Sequence, residues 1–156
     1  MSQCKTKYFG ELEYDGPAAV EFREGLPGFE KETQFLLIER PDLRPLVFMQ
    51  SLATPGLCFM TLPVFTVATD YRLEIAEPDR SALDLPAKPV IGRDVACLVI
   101  ANLREDGTVT VNLLAPLVVD LKTRRAVQSI LSGSGYSHEY EVPAGPVEAA
   151  ELPVGA

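Results

Sequence analysis

His138 is the only histidine in the sequence, so any serine or cysteine triad would have to use it as general base. It stands near the C-terminal edge beside Tyr136 and Glu139. The nearest serine of interest, in Gly133-Ser134-Gly135, lacks the spacing of a nucleophile elbow, and its glycines read more simply as a turn. Cys4, Cys58 and Cys97 are far apart and form no CxxC pair, which argues against a zinc or redox centre. Cys58 and Cys97 lie inside apolar runs, where cysteine behaves as a small core hydrophobe. The acidic pairs Glu11/Glu13 and Glu139/Glu141 have strand spacing that puts both carboxylates on one face, which suits a solvated strand better than acid–base catalysis. Phosphate-cradling, metalloprotease and calcium-loop patterns do not occur. The reading is of a non-enzymatic protein with no metal or cofactor.

The elements that would position any site are short. Thirteen prolines in 156 residues interrupt most windows long enough for a stable helix. Strands are expected around Leu12 and Tyr14, over 20–22, 34–39, 46–51, 57–62 and 71–75, and in the pairs 95–101 with 108–113 and 116–121 with 126–131. The corner Glu24-Gly25-Leu26-Pro27-Gly28-Phe29-Glu30 should tuck Leu26 and Phe29 beneath a tight turn, with room for one helical turn. Residues 77–85 are the best helix, since Pro78 is tolerated in a first turn and Pro86 ends it. The whole reads as an all-β, mainly antiparallel, single-domain β-barrel-like fold over residues 1–142 with one or two short helical turns. Residues 143–156, rich in proline, alanine and glycine, are expected to form a flexible tail.

Hydrophobic residues at 47% and charged residues at 23% are ordinary for a globular domain. No apolar run is long enough for a membrane span, and the first residues lack the apolar stretch of a signal peptide, so the chain reads as cytoplasmic. A formal net charge of -8 opposes direct nucleic-acid binding and suits a basic protein partner. For a protein-binding surface the residue candidates are Phe29, Phe48, Gln50, Asn112 and Tyr136. Asn112 reads more simply as pinning the turn before Pro116, and Met49 beside Phe48 could be core filler or part of an adaptable contact surface. The competing reading is a small β-barrel that binds or transforms a small molecule in its mouth, with Tyr136 or His138 as the polar group.

Four pieces in order carry a resemblance to a known family. They are Thr6-Lys7-Tyr8-Phe9-Gly10-Glu11, the segment Phe22 to Glu30, Asn112-Leu113-Leu114-Ala115-Pro116-Leu117-Val118-Val119, and Lys122-Thr123-Arg124-Arg125 leading to Gln128 and Tyr136-Ser137. In this order and spacing the chain resembles the FliW family of flagellar assembly factors. The resemblance implies a β-barrel-like fold and a cytoplasmic partner switch that binds the RNA-binding translational repressor CsrA and also flagellin; the chain alone is expected to be monomeric. Binding CsrA would relieve its repression of flagellin translation, and accumulating flagellin would displace it.

Overall fold

The computed structural model describes residues 2–143, and the expected tail from 144 onward lies outside the described residues. Strands β1 (Ser2–Thr6) and β2 (Gly10–Tyr14) form a two-stranded antiparallel hairpin. The rest of the ladder is one nine-stranded sheet made of β3 (Val20–Glu21), β4 (Gln34–Glu39), β5 (Val47–Ser51), β6 (Cys58–Pro63), β7 (Val95–Leu103), β8 (Val109–Val111), β9 (Leu117–Asp120), β10 (Ala126–Gln128) and β11 (Tyr140–Glu141). Its main path runs β10-β9-β7-β6-β5-β4-β3, and β8 and β11 branch from the far half of β7. Every strand pair is antiparallel, as expected for strands joined by short turns.

The path curls until its ends meet. The N–H of Glu21 in β3 donates to the carbonyl of Arg124 just before β10, at 2.9 Å, in a single parallel bridge between Glu21 and Arg125. The guanidinium Nη2 of Arg124 donates to the carbonyl of Ala18 at 3.1 Å. A ladder does not close the ring, so the fold is barrel-like with a seam.

Strand alternation divides the core into two sides. Phe35, Val47, Met49, Leu98, Leu117, Val119 and Ala126 cluster with Val20, Phe22 and Leu26. Phe48, Met60, Leu62, Cys97, Val99, Val111 and Leu131 form the other cluster, with Tyr8 and Phe9 of the first hairpin packed on it. Helix α1 (Glu77–Leu83) takes Pro78 in its first turn, ends on Asp84 in the left-handed region at φ 54°, and buries Leu83 against Val95 and Val118.

Several expected elements differ. Residues 71–75 alternate in burial as expected, yet they form no strand. Their main chain is held by side chains instead: Arg72 N–H donates to the Tyr136 hydroxyl at 2.9 Å, and Ala76 N–H to Ser129 Oγ at 3.4 Å. The corner after β3 is a tight reversal closed by Leu26 and Phe29 bonding each other's main chain, with no helical turn. Leu26 is buried, but Phe29 remains 41% exposed with its ring edge-on to Phe59 at 5.4 Å. Strands β1 and β11 are absent from the sequence reading because only Cys4 of β1 is fully buried and β11 has two residues.

Candidate docking surface

The antiparallel register brings the end of β4, the start of β5, the end of β6, the start of β7 and the end of β9 to one rim of the sheet. There the chain leaves β6 at Pro63 and makes a single 3-10 turn, Val64–Thr66, which Thr66 Oγ1 closes by donating to the Pro63 carbonyl at 2.6 Å. One turn of that kind sends adjacent side chains in different directions. Val64 points into the core, and Phe65 stands out at 44% exposure.

Beside it lies a groove of about 490 Å³ lined by Leu37, Val47, Pro63, Phe65, Ile91 and Leu121 together with the start of β7, with Glu39 as its only charged side chain. Leu121 is 38% exposed and Val90, next to Ile91, is 43% exposed. Large apolar side chains left in water around a concave surface, with charge confined to the margin, match the anatomy of a protein-binding patch.

Asp94 shapes the lip of this groove. Its Oδ2 accepts from Val90 N–H at 2.8 Å, Arg93 Nη2 lies 3.2 Å away, and the Asp94 carbonyl accepts from Leu121 N–H at 3.1 Å. The Val90 bond first, and Arg93 second, hold the Asp94 carboxyl below its ordinary value. A carboxyl depressed on folding contributes stability above its unfolded pKa and loses it as pH falls through the lower folded value. The lip is therefore expected to stay closed at neutral pH and to loosen only below about pH 4. The amide resonance of Val90, followed by pH titration, should move with a midpoint under that of an ordinary aspartate. A midpoint at or above the ordinary value would show that the bond to Val90 is not held in solution.

Cys97 contributes to this groove, but its thiol is buried and desolvation pushes it up to about 12, so it is not a nucleophile at neutral pH. Burial likewise raises Cys58 to about 11 and moves Cys4 upward. Among the described residues no group of three or more histidine, cysteine, aspartate or glutamate side chains could hold a metal ion, and no helix is long and apolar enough to cross a membrane.

The residues singled out from sequence do not meet in this groove. Phe48 is fully buried, tilted against Phe9 at 5.3 Å. Gln50 is also fully buried, and its Nε2 donates toward the carbonyls of Ser51, Thr54 and Pro55 at 3.0, 3.4 and 3.2 Å. Neither presents surface to a partner, and the expectation of direct contact is corrected for both: Gln50 holds the 51–56 turn from beneath, and Phe48 packs in the core. Asn112 is half-buried, and its Oδ1 accepts from Ala115 N–H at 3.0 Å, which pins the turn before Pro116. Tyr136 is half-buried and stacks on Tyr71 at 4.4 Å while its hydroxyl accepts from Arg72. Phe29 keeps exposed ring surface, but at the opposite end of the sheet, beside the start of β6. Neither Tyr136 nor His138 lines this groove.

Sequence reasoning missed Phe65, Ile91 and Leu121. The available signal was Pro63-Val64-Phe65, a proline that ends a strand followed at once by two large apolar residues, of which a short turn can bury only one.

Comparison with known proteins places these features in a wider set. The family model described as "FliW protein" matches residues 3–142. The flagellar assembly factor FliW of Oceanobacillus iheyensis is 29% identical over 150 residues, covering 96% of this chain and 99% of its own length. That of Geobacillus sp. (strain WCH70) is 33% identical over 139 residues, covering 88% and 92%. A crystal structure of the flagellar assembly factor FliW superimposes with a TM-score of 0.79 at 30% identity, covering 90% of this chain and 96% of that one.

Proposed function

This chain belongs to the FliW family, and from that premise we propose that it is a cytoplasmic flagellar assembly factor that acts by binding proteins rather than by catalysis. The family match over residues 3–142 carries this reading. Its partners are a CsrA-type RNA-binding regulator and flagellin, bound in alternation, so that occupancy by flagellin releases the regulator to repress flagellin translation.

Two features support a binding role. The groove flanked by Phe65 and Leu121 supplies exposed apolar anchors on a rigid sheet end. The net charge of -8 favours encounter with a basic regulator and disfavours RNA beside a bound one.

Titration calorimetry of the purified chain against a CsrA-type regulator and against flagellin tests the proposal. Each is expected to bind, and flagellin is expected to displace the regulator. Phe65→Ser combined with Leu121→Ser should weaken at least one partner by about tenfold or more, the loss of one interface anchor, with little change in folding stability. Failure of the unmodified chain to bind either partner would overturn the switch. Full binding by the double variant would move the docking surface away from the groove.

A further inference from the structure

The seam between β3 and β10 contains a gap. In the antiparallel pair of β10 with β9, Asp120 N–H donates to the Arg125 carbonyl at 2.8 Å and Ser129 N–H to the Pro116 carbonyl at 3.0 Å. Residues 125, 127 and 129 therefore turn their main chain toward β9, and alternation directs that of Ala126 and Gln128 to the other side. There β3 supplies one bridge, at Glu21, and then leaves, since Phe22 N–H already donates to Thr33. Beyond that bridge the Ala126 carbonyl and the N–H and carbonyl of Gln128 have no main-chain partner among the described residues.

These groups do not open onto a flat surface. They form the floor of a groove of about 710 Å³, with Gly25, Leu26 and Pro27 on one wall and Pro78, Ala82 and Leu83 of α1 on the other. The groove offers what an added strand needs: main-chain donors and acceptors along β10 and apolar residues beside them.

Its charge selects what fits. Glu21, Glu24, Glu30 and Asp79 line it, against Arg23 and Arg125. Glu21 is paired with Arg23 at 3.5 Å, and Asp79 accepts from the Ser129 hydroxyl at 2.9 Å. Glu24 and Glu30 are exposed and make no ion pair among the described residues.

We propose that this groove is a second binding site, which takes an extended peptide with lysine or arginine at alternate positions as an added strand on the outer edge of β10. The main chain of the peptide would bond Gln128 and the Ala126 carbonyl, its apolar residues would face Leu26 and Leu83, and its cations would face Glu24 and Glu30. This site is separate from the groove at Phe65, and the proposal does not depend on what binds there.

The test titrates the isotope-labelled chain with the capped synthetic peptide Lys-Val-Lys-Thr-Lys-Val, read by amide resonances. Expected are saturable shifts centred on Gln128 and slower exchange of its amide. A version N-methylated at alternate residues should bind at least about fivefold more weakly, as loss of one net main-chain bond would require. Glu24→Gln with Glu30→Gln should weaken binding and reduce its salt dependence while leaving the unfolding midpoint in place. The proposal is overturned if Gln128 does not respond at millimolar peptide, if the N-methylated peptide binds equally well, or if the shifts centre on Phe65 and Leu121.

Discussion

Phe48→Ala is expected to destabilise the chain by about 3–5 kcal/mol, the usual range for removing a fully buried phenylalanine. Phe48 is the second residue of β5, opposite Ile38 on one side and Met60 on the other, and meets Phe9 of the first hairpin at 5.3 Å. Its truncation would empty a site between β4, β6 and the first hairpin, where the sheet's main-chain pairing limits how far the neighbours can collapse. A domain of this size has a total stability of about 5–15 kcal/mol, so the loss is a large share of it. Urea denaturation checks the value. Phe29→Ala, which removes a ring with much of its surface already in water, should cost roughly 1 kcal/mol or less. Equal costs at the two positions would contradict the burial described for both. A Phe48→Leu variant that stays folded but loses a protein partner would give Phe48 a role in binding after all.

Gly25→Ala should be nearly as damaging, by roughly 2–4 kcal/mol. Gly25 has φ +68°, and a Cβ placed there would lie 2.5 Å from the carbonyl oxygen of Glu30 and 2.6 Å from its carbonyl carbon. Those are main-chain atoms within the reversal that Leu26 and Phe29 close, so they cannot swing aside as a side-chain end would. The corner would have to open and draw Leu26 out of the core. Gly28→Ala separates the two causes. Its φ of +84° is equally unfavourable to a side chain, but nothing lies within 4 Å of the added Cβ, so only the conformational cost of about 1–2 kcal/mol remains. If both variants unfold at the same denaturant concentration, the close approach at Gly25 is not present in solution.

Where strands were legible, local chemistry and long-range pairing agreed. Gln34–Glu39 is a run of apolar residues bounded by turn formers, and β4 occupies those positions. The hairpin of β7 and β8 follows from the turn Glu105-Asp106-Gly107, where Asp106 Oδ1 accepts from Thr108 N–H at 3.0 Å. Residues 71–75 show what a pattern cannot carry. The alternation of Tyr71, Leu73 and Ile75 reports burial correctly, yet a ladder also needs a neighbouring main chain, and here the neighbours are the Tyr136 hydroxyl and the Ser129 hydroxyl. The candidate surface was the hardest to read for a related reason. Phe48 and Phe65 both sit among apolar residues in the sequence, and only the pairing of β5 between β4 and β6 decides that the first is covered and the second is not.

The seam also bears on how the molecule is assembled in time. Arg124 and Ala18, which it joins, are 106 positions apart in the chain. Closing so long a loop carries an entropy cost that grows with the logarithm of its length, and one bridge and one guanidinium contact return little against it. The neighbouring hairpins, made of sequence-local pairs, have no such cost. On these grounds curling the sheet shut is the last step of folding and the first to reverse, so the hydrogen-bonded Glu21 amide should exchange faster than the β4, β5 and β6 amides, which wait for global unfolding.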